Sequence, residues 1–202
     1  MKQSIAILLL IATIASNGFA EEQKRDLIKT AEFFAKSYLA KDYETCSKMM
    51  DPNLVKHIGG EEFLAQQLEE YRNLIGQNTT IKSIEILSKD KRIATIKNEE
   101  YAVIPYLMTM ISEGGEEFYY EGYYFANSRV DFPIWWIQNG GSDVKNSIKQ
   151  YSEDLYNKLE FPQMKSYNKD KSFLMIQENG EWVSSEKTYD MMKKILEDAE
   201  AE

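Results

Sequence analysis

The chain has 202 residues, with 33 acidic against 24 basic side chains, a formal net charge of −9 and 43% hydrophobic residues. That is enough apolar material for one sizeable core, and an acidic surface without a basic stripe excludes nucleic acid as an expected partner. A single cysteine, Cys46, excludes an intramolecular disulfide, and a single histidine, His57, excludes a multi-histidine metal centre. Neither a metal nor a cofactor is expected.

The chain begins MKQSIAILLLIATIASNGFA, in which Lys2 precedes an apolar run from Ile5 to Ile14 and the small residues Gly18 and Ala20 close the segment. This is the pattern of a secretory signal peptide over residues 1–20, with cleavage expected after Ala20. The apolar run is shorter than the roughly 20 residues a span needs, and the charged EEQKRD follows at once, so no stable membrane span is expected. No cysteine lies near the cleavage point to carry a lipid. Residues 21–202 are therefore expected to form one soluble exported domain, periplasmic or extracellular, held by packing rather than by cross-links.

Three helical patterns follow. In EEQKRDLIKTAEFFAKSYLAK, Leu27, Ile28, Ala31, Phe34, Ala35, Tyr38 and Leu39 recur with helical spacing and predict one buried face. Asp51 can cap a second, short helix, Pro52 suits its first turn and Gly59-Gly60 stops it. EEFLAQQLEEYRNLIGQ places Phe63, Leu64, Leu68, Tyr71, Leu74 and Ile75 on the apolar side of a third helix ending at Gly76.

The texture then changes. IKSIEIL, RIATIKN, EYAVIPYLMTMI and EEFYYEGYYFAN are rich in β-branched and aromatic residues and are separated by SKDK, NEE and SEGG, which predicts sequential antiparallel strands. Pro105 cannot donate to a ladder and marks an edge or a bend. KSFLMIQ and EWVSSE around Asn179-Gly180 predict a closing hairpin. Between them, residues 128–171 read as an insertion: an aromatic knot of Phe132, Pro133, Trp135 and Trp136, a break at Asn139-Gly140-Gly141, and one helix with Val144, Ile148, Tyr151, Leu155 and Leu159 on its face. TYDMMKKILEDAEAE predicts a C-terminal helix.

The fold expected is thus α+β, with N-terminal helices packed in the concave side of a curved antiparallel sheet, a helical insertion and a C-terminal helix. In the order of its pieces the chain resembles the nuclear transport factor 2-like superfamily, which includes SnoaL-like cyclases and ketosteroid isomerases. The resemblance rests on the helix running into YLAKDYETCSKMMDPNLVKHIGGEEFLAQQL, on EYAVIPYLMTM and on FLMIQENGEWVSSE. It implies a cone whose interior serves enzymes and binding proteins alike.

Strand alternation sends Phe118, Tyr120, Gly122, Tyr124 and Ala126 to one face and Tyr119, Glu121, Tyr123 and Phe125 to the other. If the second face points inward, Tyr119, Glu121 and Tyr123 line a pocket and burial raises Glu121 toward a general base; if not, Glu121 is a solvated charge. Gly122 reads as the site of a bulge in a curved strand. Asp131, Trp135 and Trp136 either form a flap over the opening or glue the inserted helix to the sheet. His57 reads as a helix C-terminal cap and Cys46 as a small buried residue. Two functions follow: binding of a small apolar or amphipathic molecule or a protein partner, or acid/base isomerase, dehydratase or cyclase chemistry using Glu121 or Asp131. An exposed tyrosine-bearing sheet face would also suit a homodimer.

Overall fold

The computed structural model describes residues 26–75, 79–129, 132–169, 174–178 and 181–184. The leader over 1–20, Asp131, the Asn179-Gly180 turn and the expected C-terminal helix lie outside the described residues. Four helices come first: α1 (Leu27–Leu39), α2 (Tyr43–Lys48), α3 (Pro52–Ile58) and α4 (Glu61–Ile75). Each of the first three is started by an aspartate whose carboxylate accepts from free backbone N–H groups of the first turn: Asp26, Asp42 and Asp51. Asp51 also accepts from the Asn127 side-chain amide at 2.9 Å, tying the start of α3 to the sheet.

The strands are β1 (Thr79–Ile86), β2 (Arg92–Ile96), β3 (Glu99–Ser112), β4 (Glu117–Arg129), β5 (Phe132–Asn139), β6 (Lys165–Asn168), β7 (Leu174–Glu178) and β8 (Glu181–Ser184). They form one antiparallel sheet in the order β1-β3-β4-β6-β7-β8, with β2 also on β3 and β5 also on β4. The sheet curls into a half-barrel. Two long strands, β3 and β4, are its spine, paired continuously from Glu99↔Arg129 to Ile111↔Glu117.

Pro105 lies where the outer neighbour of β3 changes. The β2 pairing ends at Val103 and the β1 pairing begins at Tyr106. The Pro105 carbonyl accepts from Leu87 N–H on that same side, so the position without a backbone donor faces the gap between two strands, where no ladder bond is lost. Lys97 and Asn98, both at positive φ, form the two-residue turn that joins β2 to β3.

Both faces of the spine are covered. On the concave side Ala31, Phe34 and Tyr38 of α1, Cys46 of α2, Val55 of α3 and Leu64 and Leu68 of α4 pack on Ile104, Tyr106, Tyr124, Ala126 and Ile137. The Phe34 ring meets the Tyr124 ring edge-on at 5.2 Å. On the other side Ile148, Leu155 and Leu159 pack on Val103, Tyr123 and Phe125. A buried aliphatic or aromatic side chain in either layer contributes roughly 1.5–3 kcal/mol, so each layer alone outweighs a typical surface ion pair.

Several expectations are corrected. The helix read over Val144 to Leu159 is two: α5 (Ser142–Tyr151) and α6 (Glu153–Leu159). Ser152 is extended and its hydroxyl accepts from Leu155 N–H, so a cap interrupts the apolar periodicity and leaves Tyr151 57% exposed. The aromatic knot is instead strand β5, paired with β4 from Tyr124↔Asn139 to Arg129↔Phe132. β-branched and aromatic content carries the strand, and Pro133 is tolerated because β5 pairs with β4 alone. On its other edge Ile137 N–H donates to the Met49 carbonyl. In α4 only part of the expected face is buried: Phe63, Tyr71 and Leu74 are exposed, while Arg72 is buried with its guanidinium 5.7 Å from the Tyr38 ring centroid. The polar strand β6 was not expected at all.

Gly122 marks no bulge, since the β3–β4 register runs through it without a shift. It sits opposite Tyr106, and a methyl group there would lie 2.7 Å from Tyr106 Cζ and 2.6 Å from Tyr120 Cε1. The glycine is there to let the Tyr106 ring cross the sheet. Gly122→Ala is expected to cost roughly 1–3 kcal/mol of stability by overpacking, read as a lower urea midpoint; an unchanged midpoint would show that the ring lies elsewhere.

Candidate functional site

The Tyr106 ring that crosses Gly122 is part of the floor of a cavity of about 520 Å³ between the concave side of the sheet and the helices. Tyr38 of α1 and Tyr71 of α4 line one wall, and Ile84 of β1 with Met108 and Met110 of β3 line another. Tyr106, Tyr120 and Tyr124 form the sheet side, and the connection Asn139–Val144 with Met164 supplies the rest. Tyr106 and Tyr124 are nearly inaccessible, whereas Tyr71 is 55% exposed and stands at the rim.

The tyrosines come together because three separate periodicities converge. Tyr120 and Tyr124 are four residues apart on β4 and share a face. Tyr106 pairs across to Gly122, midway between them, so its ring lies 4.6 Å from that of Tyr124 and 6.1 Å from that of Tyr120. Tyr38 belongs to the buried stripe of α1. The Tyr120 hydroxyl donates to Met164 Sδ at 3.3 Å, which fixes the insertion to the cavity wall.

That wall is set from the opposite face of the sheet. Tyr123 accepts at its carbonyl from Gly140 N–H (2.7 Å) and donates from its hydroxyl to the Gly141 carbonyl (2.9 Å). A methyl group at position 140 would lie 2.1 Å from the Tyr123 ring, so the turn depends on glycine. Tyr123, expected as a lining residue, thus acts from behind by holding the Asn139–Gly141 turn.

Burial is the main cause of the tyrosines' altered acidity. It pushes Tyr38 up to about 12, against the opposing pull of the Arg72 guanidinium, and Tyr120 to about 12. Tyr106 and Tyr124 are raised by the same cause, Tyr106 well above the ordinary value. At neutral pH these four are uncharged O–H groups, each able to donate one hydrogen bond.

The remaining expected site residues are placed away from the cavity. Glu121 lies on the outer face, where it accepts from the Tyr167 hydroxyl at 2.9 Å and pairs loosely with Lys165 at 3.9 Å. Its side chain is 37% exposed, so it matches the solvated alternative rather than a base enclosed by rings. Tyr119 stacks on Tyr167 at 5.5 Å and donates to Glu117. Trp135 is buried in the core under α1 and Trp136 is half-buried beside Asn127, so neither forms a flap or glues the inserted helix to the sheet. The outer face between β2 and β4 is occupied by α5 and α6, a packing that does not include the half-buried Tyr119–Tyr167 pair.

Cys46 is fully buried, and burial raises its thiol to about 12, which makes it inert at neutral pH. His57 is exposed in the last turn of α3. Among the described residues no group of three or more His, Cys, Asp and Glu side chains could hold a metal ion, and no helix is long and apolar enough to cross a membrane. A second recess of about 620 Å³ between α2 and α4 is more open, and its lining includes the acidic Asp42, Glu44, Glu61, Glu62 and Glu69 and the basic Lys41 and Lys48. Its walls are those of a solvated charged groove. The chain matches no protein-family model, no curated protein and no solved structure.

None of the lining residues was among the expected site residues: the tyrosines at 38, 71, 106, 120 and 124, the methionines at 108, 110 and 164, Ile84 and the Asn139–Val144 connection with Asp143 were all missed. One signal for them was present: Tyr120-x-Gly122-x-Tyr124 places a gap between two rings on a single face, which suits a third ring from the facing strand.

Raised acidity has a stability consequence with a definite sign. A tyrosine held neutral in the fold but ordinary near 10.0 when unfolded stabilises the protein fully below pH 10. That contribution is lost as pH rises toward about 12, the folded value for Tyr38 and Tyr120. Urea unfolding at stepped pH is expected to show stability falling through this window, more shallowly in Tyr120→Phe. A flat profile would contradict the buried placement.

Proposed function

We propose that this is an exported, non-catalytic domain of the nuclear transport factor 2-like kind whose cavity binds a small apolar or amphipathic molecule. The observation that carries this reading is the cavity itself: its volume falls within the 300–1,000 Å³ typical of small-molecule sites, and its walls are mostly rings and thioethers with a few hydroxyls, the Asn139 amide and one carboxylate, Asp143. The superfamily resemblance and the leader-like N-terminus support the fold family and the export. Tyrosines held neutral fit recognition by hydrogen bonding and apolar contact, while Glu121, one of the two carboxylates on which proton transfer was considered, lies on the outer face.

Binding is measured by titrating the purified protein into Nile red, an uncharged dye that brightens in apolar surroundings. Saturable binding is expected. Met110→Trp, which adds bulk at the half-buried cavity wall, is expected to weaken it about tenfold, or about 1.4 kcal/mol. Glu121→Gln is expected to leave it unchanged. Binding that is not saturable, or that Met110→Trp leaves intact, would remove the cavity from consideration.

A further inference from the structure

Among the described residues, the side chains that line the cavity carry charge of one sign only. Asp143, in the first turn of α5, is the single acidic residue in the lining, and no lysine, arginine or histidine is among the lining residues described. An anionic amphiphile would bring its head toward that carboxylate with no side-chain cation to receive it; the free N–H groups that start α5 favour an anion there, and Asp143 in the same turn is the charge that opposes one. Burial also sets the direction of entry: Tyr106, Met108 and Tyr124 close the inner end, whereas Tyr71 and Asp143 are the exposed lining residues. An apolar chain is therefore favoured inside and a polar head at the rim.

At that rim the available chemistry is an aromatic ring and a carboxylate, the pair that recognises an ammonium group. The negative quadrupole of a tyrosine face attracts a cation that is only weakly hydrated, and a quaternary ammonium is such a cation. The positive charge to weigh against this is Arg72. Its guanidinium is buried, does not line the cavity and already lies over the Tyr38 ring at 5.7 Å. The formal net charge of −9 favours the approach of cations from solution.

We propose that the cavity takes a cationic amphiphile, an alkylammonium or quaternary ammonium compound, with its chain among the methionines and buried tyrosines and its head beside Tyr71 and Asp143. This rests on the binding reading above and adds the charge class of the ligand.

Calorimetric titration of the purified protein with decyltrimethylammonium, decanoate and 1-decanol, each below its aggregation threshold, separates the cases. The ammonium compound is expected to bind about three- to fivefold more tightly than the alcohol, with decanoate the weakest. Asp143→Asn and Tyr71→Leu are each expected to remove most of that preference, read within each variant as the ratio of ammonium to 1-decanol affinity, with an unchanged circular dichroism spectrum showing that each variant is folded. Decanoate binding as tightly as the ammonium compound, or a preference that survives both substitutions, overturns the charge class alone. Failure of all three compounds to bind overturns the cavity reading and the charge class with it.

Discussion

The pairing of β3 with β4 is the constraint on which the rest of the structure depends. With Tyr106 opposite Gly122, every second residue of β4 is assigned to a layer: Tyr120, Tyr124 and Ala126 to the N-terminal helices, Tyr123 and Phe125 to the inserted ones. Because side chains alternate with a period of two, a slip of one residue would exchange the layers and drive the Tyr106 ring into a side chain. The register is specified from both sides at once, since neither face is left to water along the centre of β4.

The cavity follows from that register. A glycine opposite a tyrosine leaves room for a ring to lie across the strand pair, and the rings that gather around it form a floor no aliphatic side chain could fill. The insertion then completes the wall through its Asn139–Val144 turn and Met164, both held by tyrosines of β4, Tyr123 from the outer face and Tyr120 from within. A single strand thus shapes the proposed binding site from both of its faces. Uncharged hydroxyls, thioethers and one rim carboxylate are the groups on which the proposed binding rests.

Much of the fold was legible because its signals are local. The cap at Asp51, the stripe from Leu27 to Tyr38 and the alternation along β4 each need only a few neighbours in sequence. Where reading failed, a long-range partner decided. Arg72 displaced the expected apolar face of α4 because Tyr38 offered its ring, and Ser152 cut one helix into two by capping the second. Which face of β4 turns inward could not be read, because both faces are aromatic and both are covered; Glu121 and Tyr120 differ by one position and by an entire layer. Asp131, the remaining expected site residue, lies outside the described residues.

The most direct measurement is the set of through-space proton contacts between aromatic rings in solution. Contacts between Phe34 and Tyr124, whose ring centroids lie 5.2 Å apart, and between Tyr123 and Phe161, at 5.6 Å, are the expected result, with none linking Phe34 to Tyr123. A Phe34–Tyr123 contact would place the other face of β4 under the helices and contradict the register, the cavity and the site together.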